Sequence, residues 1–451
     1  MREPGHPARG PSAARAAGAL AALLAGAWAG ADEKGPSALN VTLGREVLVA
    51  QTNRARLPWG VWQFPNVFHL GPKALGVAYQ RFVDNAALDS AAKHRTPGLC
   101  VSNDAGATWR PAANPLDRHG GRGMCRLADG DLLYLAGPGS RNVPRSKLPP
   151  GTRVRHGYGG YYTIRDPLKM PEDLGRWHVV RRPAGGGEWT RRPAVIHDPD
   201  GGVYSYDPPG KDYAVVHWQQ HMRVVQLPDG SLLAVFYGWR LGPDRKPRPK
   251  CESWCLRSVD GGRRWTFHGV IARDDRHRLA GFTEPTVAVL ADGSLLAVLR
   301  TECARTGPMY RTWSEDAGRT WSKPGPFFAF GVLPNLLRLP GGVIVLSFGR
   351  PGAHLLFARD GRGRAWERPT TLVSESFEGT GVRAGKHGLR VDPAAKGKRK
   401  QTRTSGYTSL LAVGRDSFLV AYDQFDRPDE TGRPRKAILI RRVKVSTKPL
   451  P

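Results

Sequence analysis

Residues 314–321 read Ser-Glu-Asp-Ala-Gly-Arg-Thr-Trp, and this pattern decides how the chain is interpreted. Further copies occupy residues 102–109 and 258–265, with a decayed copy at 359–366 and a fifth candidate at 185–189. In such a segment the Asp side chain caps its own turn, Gly takes a positive φ, and Trp folds back as an apolar plug. The repeat therefore predicts a series of stabilised turns between strands.

A second repeat alternates with the first and predicts β-hairpins. Clean copies of a Leu-x-Asp-Gly-x-Leu-Leu pattern and looser ones occupy residues 127–133, 227–233, 290–296, 339–345, 70–76 and 413–419. Each copy joins two apolar strands through a tight turn, typically of the Asp-Gly type. Six such hairpins, spread over the whole chain, predict an all-β fold.

The composition is that of a folded chain with many turns. Of 451 residues, 40% are hydrophobic, and 55 glycines and 38 prolines are spread along the sequence. No internal segment reaches the roughly 18 apolar residues that a membrane helix needs. These features exclude a collagen, a coiled coil and a polytopic membrane protein.

The charge is strongly positive, at +29, from 68 Lys and Arg against 39 Asp and Glu. Such a field attracts polyanions, unless the excess is simply spread over solvated faces. The most concentrated basic run, at residues 396–403, is expected to be an exposed loop, and no nucleic-acid-binding motif accompanies it. We therefore expect no nucleic acid, while an acidic glycan and an anionic membrane surface stay open as polyanionic partners.

The N-terminus has the features of an export signal. Arg2, Arg9 and Arg15 precede an apolar run at residues 16–29, and small-x-small cleavage patterns follow. The sequence predicts a signal peptide over residues 1–31 and a single domain over 32–451. We expect a secreted or periplasmic protein without a membrane span, and a monomer.

Cysteine use gives little further information. Five cysteines are too few for a disulfide scaffold, and Cys251 and Cys255 have no His or second Cys pair at zinc-ligand spacing. A bridge between Cys100 and Cys125 stays open.

The turn pattern resembles the Asp box of sialidases and other BNR-repeat proteins. Together with the hairpins, the resemblance covers roughly residues 50–445. It implies a six-bladed β-propeller of four-stranded antiparallel blades around a central channel. In that family the box lies on the periphery, so it indicates the fold strongly and the function weakly.

The hairpin repeat also indicates where a site would lie. The polar residues eight or nine positions before the turn are His221, Glu284, Tyr407 and Gln63, and those after it are Arg300 and Arg350. Because the start of the first strand and the end of the second are neighbours in a hairpin, these side chains should gather at one end of the blades.

These spacings sharpen the resemblance to sialidases. Glu284 and Arg300 match a Glu and an Arg across a hairpin, Arg350 matches a later Arg before an Asp box, and Tyr407 matches the Tyr of the last blade. The resemblance implies that Tyr407 is the nucleophile, that Glu284 accepts its proton, and that the two arginines bind a substrate carboxylate. A neutral Tyr suits an anionic substrate because a carboxylate nucleophile would be repelled.

Two further positions complete the implied site. The general acid and base would be Asp89, with Asp84 as the second candidate. Where the family has its first arginine, this chain has Gln63, which carries no charge. A loop arginine, for which the candidates are Arg54, Arg56 and Arg81, is open as a substitute. His221 is expected to contact the substrate.

The favoured function is an exported sialidase-like exo-glycoside hydrolase that acts on terminal acidic sugars with retention. It needs neither a metal nor a cofactor. One alternative is a uronate polysaccharide lyase in which His221 and a tyrosine, Tyr407 or Tyr237, move protons. Another is a non-catalytic propeller that binds glycans or proteins.

Overall fold

The computed structural model describes residues 39–55, 57–71, 73–82, 97–112, 123–155, 161–274, 281–301, 307–375, 382–385, 388–391 and 403–446. Within these ranges the fold is all-β, as predicted. Helix is confined here to three short 3₁₀ turns, at Arg145–Lys147, Pro167–Lys169 and Glu172–Gly175. None of the helices in the described ranges has the length and apolar character that crossing a membrane requires.

The strands of the first half of the chain are β1 (Asn40–Gln51), β2 (Gln63–His69), β3 (Leu75–Gln80), β4 (Gly98–Ser102), β5 (Arg110–Pro111), β6 (Cys125–Arg126), β7 (Leu132–Ala136), β8 (Arg141–Pro144), β9 (Gly151–Arg155), β10 (Tyr161–Arg165), β11 (Trp177–Arg182), β12 (Thr190–His197), β13 (Val203–Tyr206), β14 (Tyr213–His217) and β15 (Gln220–Gln226). Those of the second half are β16 (Leu232–Gly238), β17 (Glu252–Ser258), β18 (Arg264–Ala272), β19 (Thr283–Val289), β20 (Leu295–Arg300), β21 (Met309–Ser314), β22 (Gly325–Phe328), β23 (Val332–Arg338), β24 (Ile344–Gly349), β25 (Ala353–Ala358), β26 (Thr370–Val373), β27 (Val382–Gly385), β28 (Gly388–Val391), β29 (Thr408–Gly414), β30 (Ser417–Pro428) and β31 (Pro434–Ser446).

Most of these strands belong to four-stranded antiparallel units. In chain order we number them unit 1 (β2-β3-β4-β5), unit 2 (β6-β7-β11-β12), unit 3 (β15-β16-β17-β18), unit 4 (β19-β20-β21-β22), unit 5 (β23-β24-β25-β26) and unit 6 (β29-β30-β31-β1). Each predicted hairpin repeat forms the connection between the first and second strand of a unit. The all-β prediction is confirmed, whereas the six-bladed arrangement stays a prediction.

Three features depart from a plain series of units. Strands β12 and β18 pair in parallel, which joins units 2 and 3 into one eight-stranded sheet. The segments before and after β11 and β12 form a separate five-stranded sheet in the order β8-β14-β13-β10-β9. Strands β27 and β28 form a two-stranded hairpin.

The two ends of the described chain are held together in unit 6. Strand β1 pairs antiparallel with β31, so a strand from the N-terminal side completes a sheet built from the C-terminal side. Glu46 on β1 accepts hydrogen bonds from the Tyr422 hydroxyl at 2.6 Å and from Arg441 at 3.3 Å. Unit 6 therefore contains strands from both ends of the described part of the chain.

The hydrophobic core lies between the faces of successive units. One cluster packs Val67 and Val77 of unit 1 against Leu419 and Ile438 of unit 6. Comparable clusters lie between units 2 and 3, 3 and 4, 4 and 5, and 5 and 6. Units 3 to 6 are thus buried on both faces, which favours apolar residues at successive strand positions rather than strict alternation.

The repeated turns have the geometry that their residues predict. Asp316 Oδ1 accepts hydrogen bonds from the Ser314 hydroxyl at 2.9 Å and the Thr320 amide at 2.8 Å. Gly318 has a φ of +92°. The Trp321 indole donates to the Gly318 carbonyl oxygen at 3.0 Å. The turns at residues 102–109 and 258–265 repeat this arrangement.

Cys100 and Cys125 are both free thiols, so the bridge that the sequence left open is not formed. Cys100 lies on the buried strand β4 and Cys125 on β6 of the next unit.

Candidate functional site

The first strands of units 1, 4 and 5 begin with the same backbone feature, a residue of positive φ directly before a proline. Phe64, Glu284 and Leu333 each precede a proline and each have a positive φ, of 59°, 47° and 41°. Such a φ is uncommon for residues other than Gly and persists only where surrounding contacts hold it. The antiparallel register shifts at each of these points, for example between Thr283 and Thr286. This feature turns the backbone at each strand start, and in unit 4 the residue at the turn is Glu284.

Glu284 is the centre of the site. Its side chain is buried, and Oε1 accepts hydrogen bonds from the Tyr407 hydroxyl at 2.7 Å and from Arg300 Nη1 at 2.8 Å. Oε2 accepts a hydrogen bond from the Leu333 amide at 2.7 Å. Three strand starts and one strand end, from units 4, 5 and 6, therefore meet at one carboxylate.

These partners decide the charge of Glu284. Burial by itself raises the pKa of this carboxyl, but the Arg300 charge and the hydrogen bonds from Tyr407 and Leu333 outweigh burial. The pKa is held below its usual value, so Glu284 is ionised at neutral pH. An ionised carboxylate bonded to a phenol can accept the proton of that phenol.

The two predicted arginines have different surroundings. Arg300 ends β20, is only 2% exposed and forms an ion pair with Glu284. Arg350 follows β24, is half-buried, and its Nε donates to the Ser405 carbonyl oxygen at 3.1 Å. No carboxylate in the described ranges forms an ion pair with Arg350. The expected pair of carboxylate-binding arginines thus contains one that is already neutralised and one that is not.

Arg350 also lies between two aromatic rings. Its guanidinium carbon is 5.1 Å from the ring centre of Tyr407 and 5.4 Å from that of Trp59. The Tyr407 ring packs against Phe64, with centroids 4.6 Å apart. Tyr407 is therefore fixed by ring contacts on its sides and by Glu284 at its hydroxyl.

Gln63 is fully buried, and this differs from the expectation of a residue open to the substrate. Its Oε1 accepts a hydrogen bond from the Gly60 amide at 2.6 Å, and its amide nitrogen has no partner among the described residues. Phe64, rather than Gln63, occupies the strand position equivalent to Glu284. A role for Gln63 in substrate binding stays a prediction.

The loop before β2 carries Trp59, whose side chain is 37% exposed. Lys436 Nζ fastens this loop by donating to the carbonyl oxygens of Pro58 at 3.0 Å and Val61 at 3.1 Å. Burial lowers the pKa of Lys436 to about 8, although the Asp423 charge opposes this. The Trp59 ring also packs edge-on against Phe425, with centroids 6.2 Å apart.

Asp423 fastens the segment that carries Tyr407. This buried carboxylate accepts hydrogen bonds from the Ser405 amide at 2.6 Å, the Thr404 hydroxyl at 2.9 Å and the Phe64 amide at 3.1 Å. Burial raises the pKa of Asp423 above its usual value, although the hydrogen bonds from Ser405, Phe64 and Thr404 act in the opposite direction. Asp423 thus joins the starts of β2 and β29, on either side of the rings of Phe64 and Tyr407.

The structure brings together four of the predicted residues: Glu284, Arg300, Arg350 and Tyr407. It does not describe Asp89 or Asp84, which lie in a segment outside the described ranges. His221 is on β15, where its backbone pairs with Phe236, but its side chain is outside the description. Arg54 and Arg81 are exposed, and Arg56 is not described.

Trp59, Asp423 and Lys436 were missed in the sequence. Trp59 lies in a Pro-Trp-Gly turn just ahead of β2, where an aromatic residue in an exposed turn is a weak signal. Asp423 follows a run of apolar strand residues. A lone acid next to such a run indicates a buried carboxylate that accepts hydrogen bonds from its neighbours. For Lys436 the surrounding sequence contains no comparable signal.

Comparison with known proteins agrees with this fold. Residues 183–380 match the family described as BNR repeat-like domain. A crystal structure of a protein of unknown function from Dyadobacter fermentans is similar over 90% of this chain and 99% of that one, with 18% identity and a TM-score of 0.58. No curated protein matches the chain.

Two sialidase structures are also similar to this chain, at lower scores. The Hadza microbial sialidase Hz136 has 14% identity over 83% of this chain and 65% of its own, with a TM-score of 0.47. The NanB sialidase from Streptococcus pneumoniae has 12% identity over 88% and 70%, with a TM-score of 0.48.

Proposed function

We propose that this chain, which belongs to the superfamily of sialidases and BNR-repeat proteins, is a glycoside hydrolase that releases a terminal acidic sugar. The observation that carries the proposal is the hydrogen bond of 2.7 Å from the Tyr407 hydroxyl to Glu284 Oε1. A tyrosine is a weak nucleophile at neutral pH unless a base lies against its hydroxyl. Glu284 is such a base.

The first step forms a covalent intermediate. The Tyr407 oxygen attacks the anomeric carbon while its proton passes to Glu284, and the bond to the leaving oxygen breaks. Asp89 protonates that oxygen. In the second step Asp89 takes a proton from water, the water oxygen displaces Tyr407, and the phenol regains its proton from Glu284. Two displacements give net retention.

The positive charges support an anionic substrate. Arg300 keeps Glu284 ionised through its ion pair, which leaves Arg350 to bind the substrate carboxylate by charge-assisted hydrogen bonds. Trp59 lies beside Arg350 and offers an exposed ring for the apolar face of a sugar. A terminal sialic acid or a related acidic sugar has both of these groups.

The arrangement of the units supports a six-bladed propeller, which we propose as the scaffold. The first strands of units 1, 6, 5, 4, 3 and 2 contact one another in that order. Apolar clusters between successive units, and a small one between Phe68 of unit 1 and Met124 ahead of unit 2, are those of sheets arranged around an axis. Glu284, Leu333 and Tyr407 would then share one end of that axis.

Fluorogenic glycosides of α-sialic acid and of uronic acids test the activity of the full chain. The variants are Tyr407→Phe and, as a matched control, Tyr161→Phe, which removes a half-exposed phenol from β10. We expect turnover by the wild type and the control and its loss in Tyr407→Phe. A fluorinated glycosyl fluoride of the active sugar should label Tyr407 covalently, as read by peptide mass spectrometry.

The other outcomes contradict the proposal in distinct ways. Equal turnover by Tyr407→Phe would exclude Tyr407 as nucleophile. Release of unsaturated uronates, seen by ultraviolet absorbance on acidic polysaccharides, would indicate a lyase. Glycan binding without turnover of any of these substrates would indicate a binding protein.

A further inference from the structure

A large cavity lies along the first strands of units 1, 2, 3, 5 and 6. Its volume is about 1030 Å³. The wall extends from Asn66, Asn335 and Ser409, next to the strand starts, to the hairpin turns at Pro340 and Gly414. None of the four side chains gathered at the candidate site lines it. The cavity therefore extends from next to the strand starts to the hairpin turns at the opposite ends of these strands.

Arg223 of β15 lines this cavity. Its Nη1 donates a hydrogen bond to the carbonyl oxygen of Leu336 on β23. Its Nε and Nη2 have no acceptor among the described residues, and no described carboxylate forms an ion pair with it. Nε and Nη2 lie on the same edge of the planar guanidinium, so each has an N–H group that points away from that edge in the same direction. These two parallel donors are available to a ligand in the cavity.

Nothing in the described wall neutralises this charge. Burial lowers the pKa of Arg223, yet an arginine stays protonated in proteins. The ionisable group that acts on it is Cys125, and burial raises the pKa of that thiol to about 11. Cys125 is thus a neutral thiol at pH 7, and a charge left uncompensated in a cavity is costly.

Two further charged groups of the wall have the same sign as Arg223. Lys73 and Arg126 both line the cavity. His69 is neutral at pH 7, because burial and then the Arg126 charge lower its pKa to about 4. The wall has one described acid, Asp104, whose oxygens accept hydrogen bonds from Ser102 and Thr108 of its own turn.

A second donor lies on the wall in unit 1. Asn66 Oδ1 accepts a hydrogen bond from the Ser409 hydroxyl at 3.1 Å, so its amide nitrogen is the group left over. That nitrogen has no acceptor among the described residues. The cavity therefore combines an open guanidinium edge, a carboxamide donor and a positive wall.

We propose that this cavity binds a small inorganic oxyanion of the phosphate or sulfate class, held by the Nε and Nη2 edge of Arg223. Two oxygens of a tetrahedral anion match the two parallel N–H groups of that edge, which a spherical halide does not. The amide of Asn66 is a further donor on the wall of the same cavity. The anion neutralises Arg223 and, through the bond from Arg223 to Leu336, stabilises the junction of units 3 and 5.

The test is thermal unfolding of the full chain while sodium phosphate or sodium sulfate replaces sodium chloride at constant ionic strength. The variants are Arg223→Gln, Arg223→Lys, and Arg263→Gln as a control that removes an exposed arginine from the same unit. We expect the unfolding temperature of the wild type and of Arg263→Gln to rise with oxyanion concentration and to saturate, as ligand binding to the folded state requires. The rise should be absent in Arg223→Gln and smaller in Arg223→Lys.

An equal rise in Arg223→Gln, or no rise beyond that in chloride for the wild type, overturns the proposal. Should Arg223→Gln not fold, crystals of the wild-type chain grown or soaked with selenate decide the matter. An anomalous selenium peak beside the Arg223 guanidinium supports the proposal, and its absence at that position overturns it.

Discussion

Tyr407 and Glu284 are 123 positions apart in the chain, yet the phenol hydroxyl of one lies 2.7 Å from a carboxylate oxygen of the other. The same oxygen accepts a hydrogen bond from Arg300 at 2.8 Å. A tyrosine, an ionised carboxylate and a buried guanidinium thus form one hydrogen-bonded cluster, in which the carboxylate can accept the proton of the phenol. The arrangement leads to specific predictions for activity and stability.

Replacing Glu284 by Gln should lower kcat by roughly 10²–10⁴-fold, because the amide still accepts a hydrogen bond from Tyr407 but cannot take its proton. The pH dependence of kcat gives a second reading. Since the pKa of Glu284 lies below its usual value, protonation of this group should reduce activity only below about pH 4.5. Activity of the variant equal to that of the wild type would exclude Glu284 as the base.

Replacing Arg350 by Lys should raise KM for an acidic glycoside by about ten- to a hundredfold. The planar guanidinium can donate two parallel hydrogen bonds to a carboxylate, and the ammonium of Lys loses one of these charge-assisted bonds. The charge remains, so the fold should be unaffected. The matched comparison is a neutral glycoside without the carboxylate, for which the two proteins should have the same KM. A similar change for both glycosides would place the Arg350 contact elsewhere on the substrate.

Trp59→Ala should raise KM by about tenfold with little change in kcat, because the variant loses a ring that packs against the sugar but no proton-transfer group. Trp189→Ala is the control, since that Trp also has an arginine over its ring, Arg182 at 5.6 Å, in a turn of unit 2. Michaelis–Menten kinetics on the same substrate distinguish the two. If both variants behave alike, Trp59 does not contact the sugar.

The Lys436 ammonium should make stability depend on pH above neutrality. Its pKa is about 8 in the folded protein and has the usual value near 10.5 when unfolded, so burial of the charge destabilises the folded state below pH 8. Between pH 8 and about 10 the unfolded state binds more protons, and this penalty is relieved as pH rises. Urea unfolding should show the free energy of the wild type rising relative to that of Lys436→Met over this range, and a constant difference would contradict it.

Asp316→Ala should lower the free energy of unfolding by about 1–2 kcal/mol, because the turn loses hydrogen bonds from Ser314 and Thr320. The neighbouring Glu315 is exposed, and Glu315→Ala should change stability little. Turnover at a temperature well below unfolding should be the same in both variants, since the turn lies at the far side of unit 4 from Glu284. Equal stabilities of the two variants would contradict a structural role for the turn.

The sequence by itself determined the local structure. The Leu-Ala-Asp-Gly-Ser segment at residues 290–294 encodes its hairpin, because Asp292 accepts from the Ser294 amide and Gly293 has a φ of +83°. The same locality made the pairing of Glu284 with Arg300 predictable, since both flank one hairpin and adjacent positions meet across it. Turns and hairpins depend on residues a few positions apart, and such information is written along the chain.

Only the tertiary structure decided which of the polar residues act together. Packing between units makes Glu284 the shared partner of Arg300 and Tyr407. It also places Arg350 between the rings of Trp59 and Tyr407. Asp423 was missed for the same reason, because its partners, Ser405 and Phe64, come from strand starts far apart in sequence. Spacing within one hairpin places a side chain at one end of a sheet. The relative position of sheets, set by the apolar clusters between them, determines which side chain it meets there.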